Sequence, residues 1–147
     1  MKWDKLASDV KIQTTIKVLK ANGIDAIVVE NGEDAKKKVL DILPKGAEVM
    51  SMSSTTLDTI NVSKEISESE KFDSVRRKLM SMDRDTQGSE MRKLGAAPEW
   101  TVGSVHAVTE DGKVLIASAS GSQLPAYAYG SGHVIWVVGT QKIVKNL

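Results

Sequence analysis

The sequence has no cysteine among its 147 residues. That excludes a thiol nucleophile, a cysteine-ligated iron–sulfur cluster, a cysteine zinc site and a disulfide framework. Histidine is scarce too. His106 and His133 are the only two, and neither has a second ligand at a spacing such as His-x-x-x-His, so no metal site is expected. Aromatic residues make up 4%, too few for a base-stacking platform. The 20 basic and 19 acidic residues leave a net charge of +1, which gives no electrostatic footprint for nucleic acid. The one basic cluster, Lys36–Lys38, falls in a helical pattern and reads as a solvated face. Long apolar runs are also missing. The longest, Val134–Val138, is far short of the ~18 residues a bilayer span needs. The N-terminal MKWDKLASDVK lacks the apolar core of a signal peptide. The expectation is a cytoplasmic protein with neither membrane nor nucleic-acid partner.

What is present alternates between helical and strand patterns. Residues 3–21 place Leu6, Val10, Ile16 and Leu19 near helical spacing, and Asn22-Gly23 ends the run as a C-cap pair would. Ile24–Glu30 is short and β-branched and reads as a strand. Glu33–Leu43 reads as a helix with acid in its first turn and Pro44 as its stop. Glu48–Ser53 is a strand feeding Ser54–Asp58, whose hydroxyls suit a helix cap. Residues 63–95 read as two or three polar helical segments. Trp100–Thr109 and Lys113–Ser118 form a hairpin about Glu110-Asp111-Gly112. Ser122–Tyr129 suits a short helix with Pro125 in its first turn. The apolar His133–Val138 reads as a strand buried on both faces. Such alternation predicts one α/β domain: a three-layer α/β/α sandwich on a mixed, mostly parallel sheet, the hairpin supplying the antiparallel part.

Three of these stretches, taken in their order and spacing, resemble the LUD-domain (lactate-utilization) family: VMSMSSTTL, GSVHAVTEDGKVLIASASGSQLPAYAYG and VIWVVGTQKIV. The resemblance runs from about Gly46 to Val144 and is weaker in the N-terminal helices. It implies the fold of CoA transferases, ribose-phosphate isomerases and glucosamine-phosphate deaminases, and a place in organic-acid metabolism beside iron–sulfur or flavin partner proteins. With no cysteine, this chain holds no cluster itself, and no intrinsic cofactor is expected. Family members continue past GTQKIV, so the chain would lack their C-terminal segment. An open sheet edge would then invite a second copy, and a homodimer is expected.

The candidate chemistry gathers at strand ends. Glu110-Asp111-Gly112 reads as a turn. The resemblance adds a second reading, because Glu110-x-Gly112 looks like the nucleophilic glutamate of class I CoA transferases. There a carboxylate attacks a CoA thioester to give a mixed anhydride, with N–H groups near Gly121 as oxyanion donors. A strand regular through 104–110 would put Ser104, His106, Val108 and Glu110 on one face, and His106 with Glu110 could serve as an acid/base pair. A hydrogen-bonded strand histidine is the alternative. Ser118, Gly121, Ser122 and Gln123 read either as an N-cap loop or as a cradle of N–H and side-chain donors for an anion. Ser53, Ser54, Thr55 and Thr56 read as caps or as a second wall of the same site. Lys142 reads as a counter-charge to a ligand carboxylate or phosphate, or as a surface lysine. Together these predict a pocket for a small anionic metabolite. Acyl transfer through Glu110 and a non-catalytic subunit of a lactate-oxidising assembly are the alternatives.

Overall fold

Three helices open on a side chain that caps them: Asn31, Ser74 and Asp83 each accept a backbone N–H of the turn that follows. The computed structural model describes residues 4–147, so Trp3 of the expected first helix lies outside the described residues, as do Met1 and Lys2 of the N-terminal stretch. Helix α1 spans Asp9–Ala21 with Ser8 at its N-cap position. It ends as expected: Gly23 takes φ +81°, its N–H donates to the Lys20 carbonyl, and the Ile24 N–H donates to that of Leu19. This is a Schellman closure, which favours a residue free of Cβ strain. The helix starts later than its apolar spacing suggested, and Leu6 and Val10 are 67% and 76% exposed. Helix α2 spans Gly32–Ile42, and the Asn31 side chain accepts the Asp34 N–H. Glu33 and Asp34 in its first turn suit the positive end of the helix dipole.

The segment Ile24–Glu30 does not form the expected strand. Among the described residues nothing pairs with it as a ladder, and Ile27 and Val28 are half exposed. A β-branched run becomes a strand only where a neighbour accepts its edge.

The chain divides into two units. The larger, Asn31–Ser104 with Ser118–Val137, is built on a four-stranded sheet. Strand β1 is Glu48–Ser51. Helices α3 (Thr55–Thr59) and α4 (Val62–Glu68) lead to β2, Asp73–Ser74. Helices α5 (Val75–Met80) and α6 (Arg84–Ala96) lead to β3, Trp100–Gly103. The order is β2-β1-β3-β6, all parallel, where β6 is His133–Trp136 and β4 and β5 belong to the smaller unit. Its core joins Val39 of α2 and Leu43 at its C-cap to Val49, Leu57, Val62, Ile66, Phe72 and Val102. Strand β6 stands at the end of this order, so Val134–Trp136 are half-buried instead of enclosed on both faces.

The smaller unit joins Met1–Glu30, Val105–Ala117 and Val138–Leu147. Its sheet has the order β5-β4-β7: β4 is Ala107–Thr109, β5 is Val114–Leu115 and β7 is Ile143–Val144. The β4–β5 pairing is antiparallel and the β4–β7 pairing parallel. The α/β class expected from the sequence is therefore present, with the antiparallel pairing in a second sheet. Trp100–Thr109, expected as one strand, is two: the chain leaves β3 after Gly103 and enters the other sheet at Ala107. The helix expected over Ser122–Tyr129 is a π turn, Ala126–Gly130, led in by Pro125. No helix among the described residues is long and apolar enough to cross a membrane.

Candidate functional site

The parallel sheet of the larger unit sets where a ligand would sit. From β1 the chain moves outward to β2 and then back across to β3. Where strand order reverses in this way, the carboxyl ends of the two diverging strands open a crevice. The carboxyl end of β1 is Ser51, followed by Met52–Ser54; that of β3 is Gly103, followed by Ser104. Ser53 is exposed, and Ser54 occupies the N-cap position of α3 without making a side-chain cap bond. Thr55 opens α3, and Thr56 accepts a hydrogen bond from the Ser104 hydroxyl at 3.4 Å. Ser53–Thr56, expected as caps or as one wall of a site, thus follow the carboxyl end of β1, and Ser104 reaches Thr56 from the end of β3.

Two residues that the sequence patterns did not single out complete this end of the sheet. Arg76, in α5, donates from Nε to the Ser51 carbonyl at 2.9 Å and from Nη2 to Ser53 Oγ at 2.7 Å. Tyr127 donates its hydroxyl to the Ser104 carbonyl at 3.3 Å. Burial pushes the Tyr127 phenol up to about 12, so it stays a neutral donor. Its ring meets Trp136 edge to face, and it fills the space beside Gly103, where a Cβ would overlap its hydroxyl. Two buried polar atoms at the last residues of strands, Ser51 Oγ and Trp136 Nε1, have no hydrogen-bond partner among the described residues.

The stretch expected as an N-cap loop or an anion cradle, Ser118–Gln123, is a loop closed on itself. Ser118 Oγ donates to Gln123 Oε1 at 3.0 Å and accepts the Gly121 N–H at 2.9 Å. Ser122 pairs with Ser120 at 3.0 Å. Gly121 takes φ +72°, which this tight turn requires. The Gly121 N–H, expected as an oxyanion donor, is already engaged by the Ser118 hydroxyl.

His106, Glu110 and Lys142 belong to the smaller unit. His106 falls in the break between β3 and β4, so the expected one-face alternation is interrupted: His106 is exposed while Val108 is buried. Its Nδ1 accepts the Ala117 N–H at 3.2 Å, which puts the ring proton on Nε2. Glu110 opens the β4–β5 turn. Its Oε1 lies 3.0 Å from Lys11 Nζ, within ion-pair distance but without hydrogen-bond alignment. The turn itself is chemically complete. Gly112, at φ +85°, donates to the Thr109 carbonyl. Asp111 is held by Lys113 and by the Thr109 hydroxyl, and these two bonds keep its carboxyl below the usual value of 3.8. Lys142 Nζ donates to the Val105 carbonyl at 2.9 Å, and partial burial lowers its pKa from 10.5.

Ser53–Thr56 and Ser118–Gln123 thus belong to the larger unit, and His106, Glu110 and Lys142 to the smaller. Among the described residues no trio of His, Asp or Glu could hold a metal ion. A family model for the LUD domain matches residues 12–147, which spans both units. No curated protein matches the chain.

Proposed function

This chain belongs to the LUD-domain family, and on that premise we propose that it is a protein of lactate-type organic-acid metabolism that binds a small anionic metabolite at the carboxyl ends of β1 and β3. The observation that carries the reading is Arg76. Its guanidinium is fastened to Ser51 and Ser53 at the point where strand order reverses, and the hydrogen-bonded Thr56 and Ser104 hydroxyls follow the same two strands. A guanidinium with hydroxyls at a sheet's carboxyl end is a donor set, and donors select an anion. Because the family match crosses both units, we take the 147 residues as one LUD-type domain.

Binding without covalent chemistry is preferred to acyl transfer through Glu110. An ion pair with Lys11 lowers the energy of the carboxylate and so its readiness to attack a thioester, and the turn around it is already explained by Gly112. Amide NMR under titration with a panel of small organic acids tests the proposal. The expected result is shifts confined to Ser51–Thr56, Arg76 and Ser104. An acid that binds at these residues should stabilise the fold by about 2.7 kcal/mol at a hundredfold excess over Kd. Shifts confined to the Ser118–Gln123 loop, or none with any acid, would overturn it. Acyl transfer predicts a hydroxylamine-trapped adduct on Glu110 after exposure to acyl-CoAs; the binding reading predicts none.

A further inference from the structure

Arginine presents two forks, and the structure shows which one is spent. Nε–H and the adjacent Nη2–H form the side fork. In Arg76 both of its arms are used internally, on the Ser51 carbonyl and the Ser53 hydroxyl. That leaves the end fork, the outer Nη2–H and the Nη1–H groups, which no described residue accepts. Ser53 Oγ accepts from Arg76, so its own O–H remains a donor. The side chain is therefore locked in orientation, with a planar two-pronged donor and a neighbouring hydroxyl donor left over.

Charge narrows the ligand further. The basic residues that follow in α5 are committed elsewhere: Arg77 donates to the Ser67 carbonyl, and Lys78 pairs with Asp73 and Glu48. One fixed positive charge with a flat end fork and one hydroxyl matches a flat, singly charged group with two acceptor oxygens. A phosphate monoester carries close to two charges at neutral pH and three terminal oxygens in a tetrahedral array. Resting on the anion-site reading above, we propose that Arg76 is the specificity-determining residue of this site and that the site takes the carboxylate of a small monocarboxylic acid in preference to a phosphate.

The test is competition between two simple probes, propionate and inorganic phosphate, read by amide shifts at Ser51–Thr56 and the Arg76 Nε–H signal. On the wild-type protein propionate should bind about tenfold or more tightly than phosphate. Arg76→Lys keeps the charge and removes the fork, so propionate binding should weaken by about tenfold, with phosphate little changed. Phosphate binding here as tightly as propionate would overturn the inference while leaving an anion site in place. No shift at these residues with either probe would overturn both readings. If Arg76→Lys does not fold, the wild-type competition decides alone. If it folds and binds propionate as the wild type does, the fork is not the determinant.

Discussion

At the scale of single residues, Tyr127 gives the sharpest test of how the larger unit is built. Its hydroxyl is buried against the Ser104 carbonyl, and burial raises its pKa from 10.0 to about 12. In a Tyr129→Phe protein Tyr127 is the sole tyrosine, so phenolate absorbance should rise with a midpoint near 12. The unfolded chain ionises first, from about 10, and binds fewer protons between 10 and 12. Stability should therefore fall as pH rises through that window, as denaturation at stepped pH would show. Asp111 moves the other way. The Lys113 and Thr109 bonds favour its charged form, so its carbon-13 titration should have a midpoint below 3.8, and its small contribution should be lost as pH falls through that midpoint. Little of this was legible in the sequence. Arg76 meets its partners across 23 and 25 positions of chain, a contact made only when β1 and β2 pair in parallel. Serine-rich runs, by contrast, are visible at once, which is why Ser53–Thr56 stood out and Arg76 did not.

At the scale of elements, two substitutions separate a packing role from a conformational one. Leu57 of α3 is fully buried in the core of the larger unit, and Leu57→Ala should cost about 2–5 kcal/mol by chemical denaturation. Gly112 of the β4–β5 turn is different. Its φ is +85°, and an added Cβ would stand 2.7 Å from Val18 Cγ1 and 2.6 Å from Asn22 Nδ2 of the α1 segment. Gly112→Ala should cost about 2 kcal/mol or more, from backbone strain and displacement of these neighbours. Local chemistry made several elements readable. Acid at Glu33 and Asp34 and the stop at Pro44 bracket α2, Asn22-Gly23 closes α1, and Asp111-Gly112 turns β4 into β5. The failures came where pairing decides. Ile24–Glu30 has strand composition but no ladder partner among the described residues, and the Trp100–Thr109 run carries nothing to say that the chain changes sheets at Ser104–His106. That misreading undid the face argument for His106.

At the scale of the whole molecule, charge and connectivity matter most. With 20 basic and 19 acidic residues, the chain has almost no net field, so an organic anion should meet Arg76 at short range without long-range steering. Retention on a heparin column should be absent at about 0.15 M salt, where exposed charges are screened beyond about 8 Å. Connectivity is the less obvious property. The smaller unit is assembled from three stretches with the larger unit's sequence between them. Helix α1 packs with β7, and Lys11 pairs with Glu110, so the earliest stretch finds its partners only in later ones. A chain leaving the ribosome would therefore carry α1 without its sheet while β1, β2 and β3 emerge and pair. Closing such long loops is entropically slow. The nascent protein should pass through a stage in which the strands of the larger unit are paired and α1 still waits for β7, open to a chaperone before any metabolite can matter.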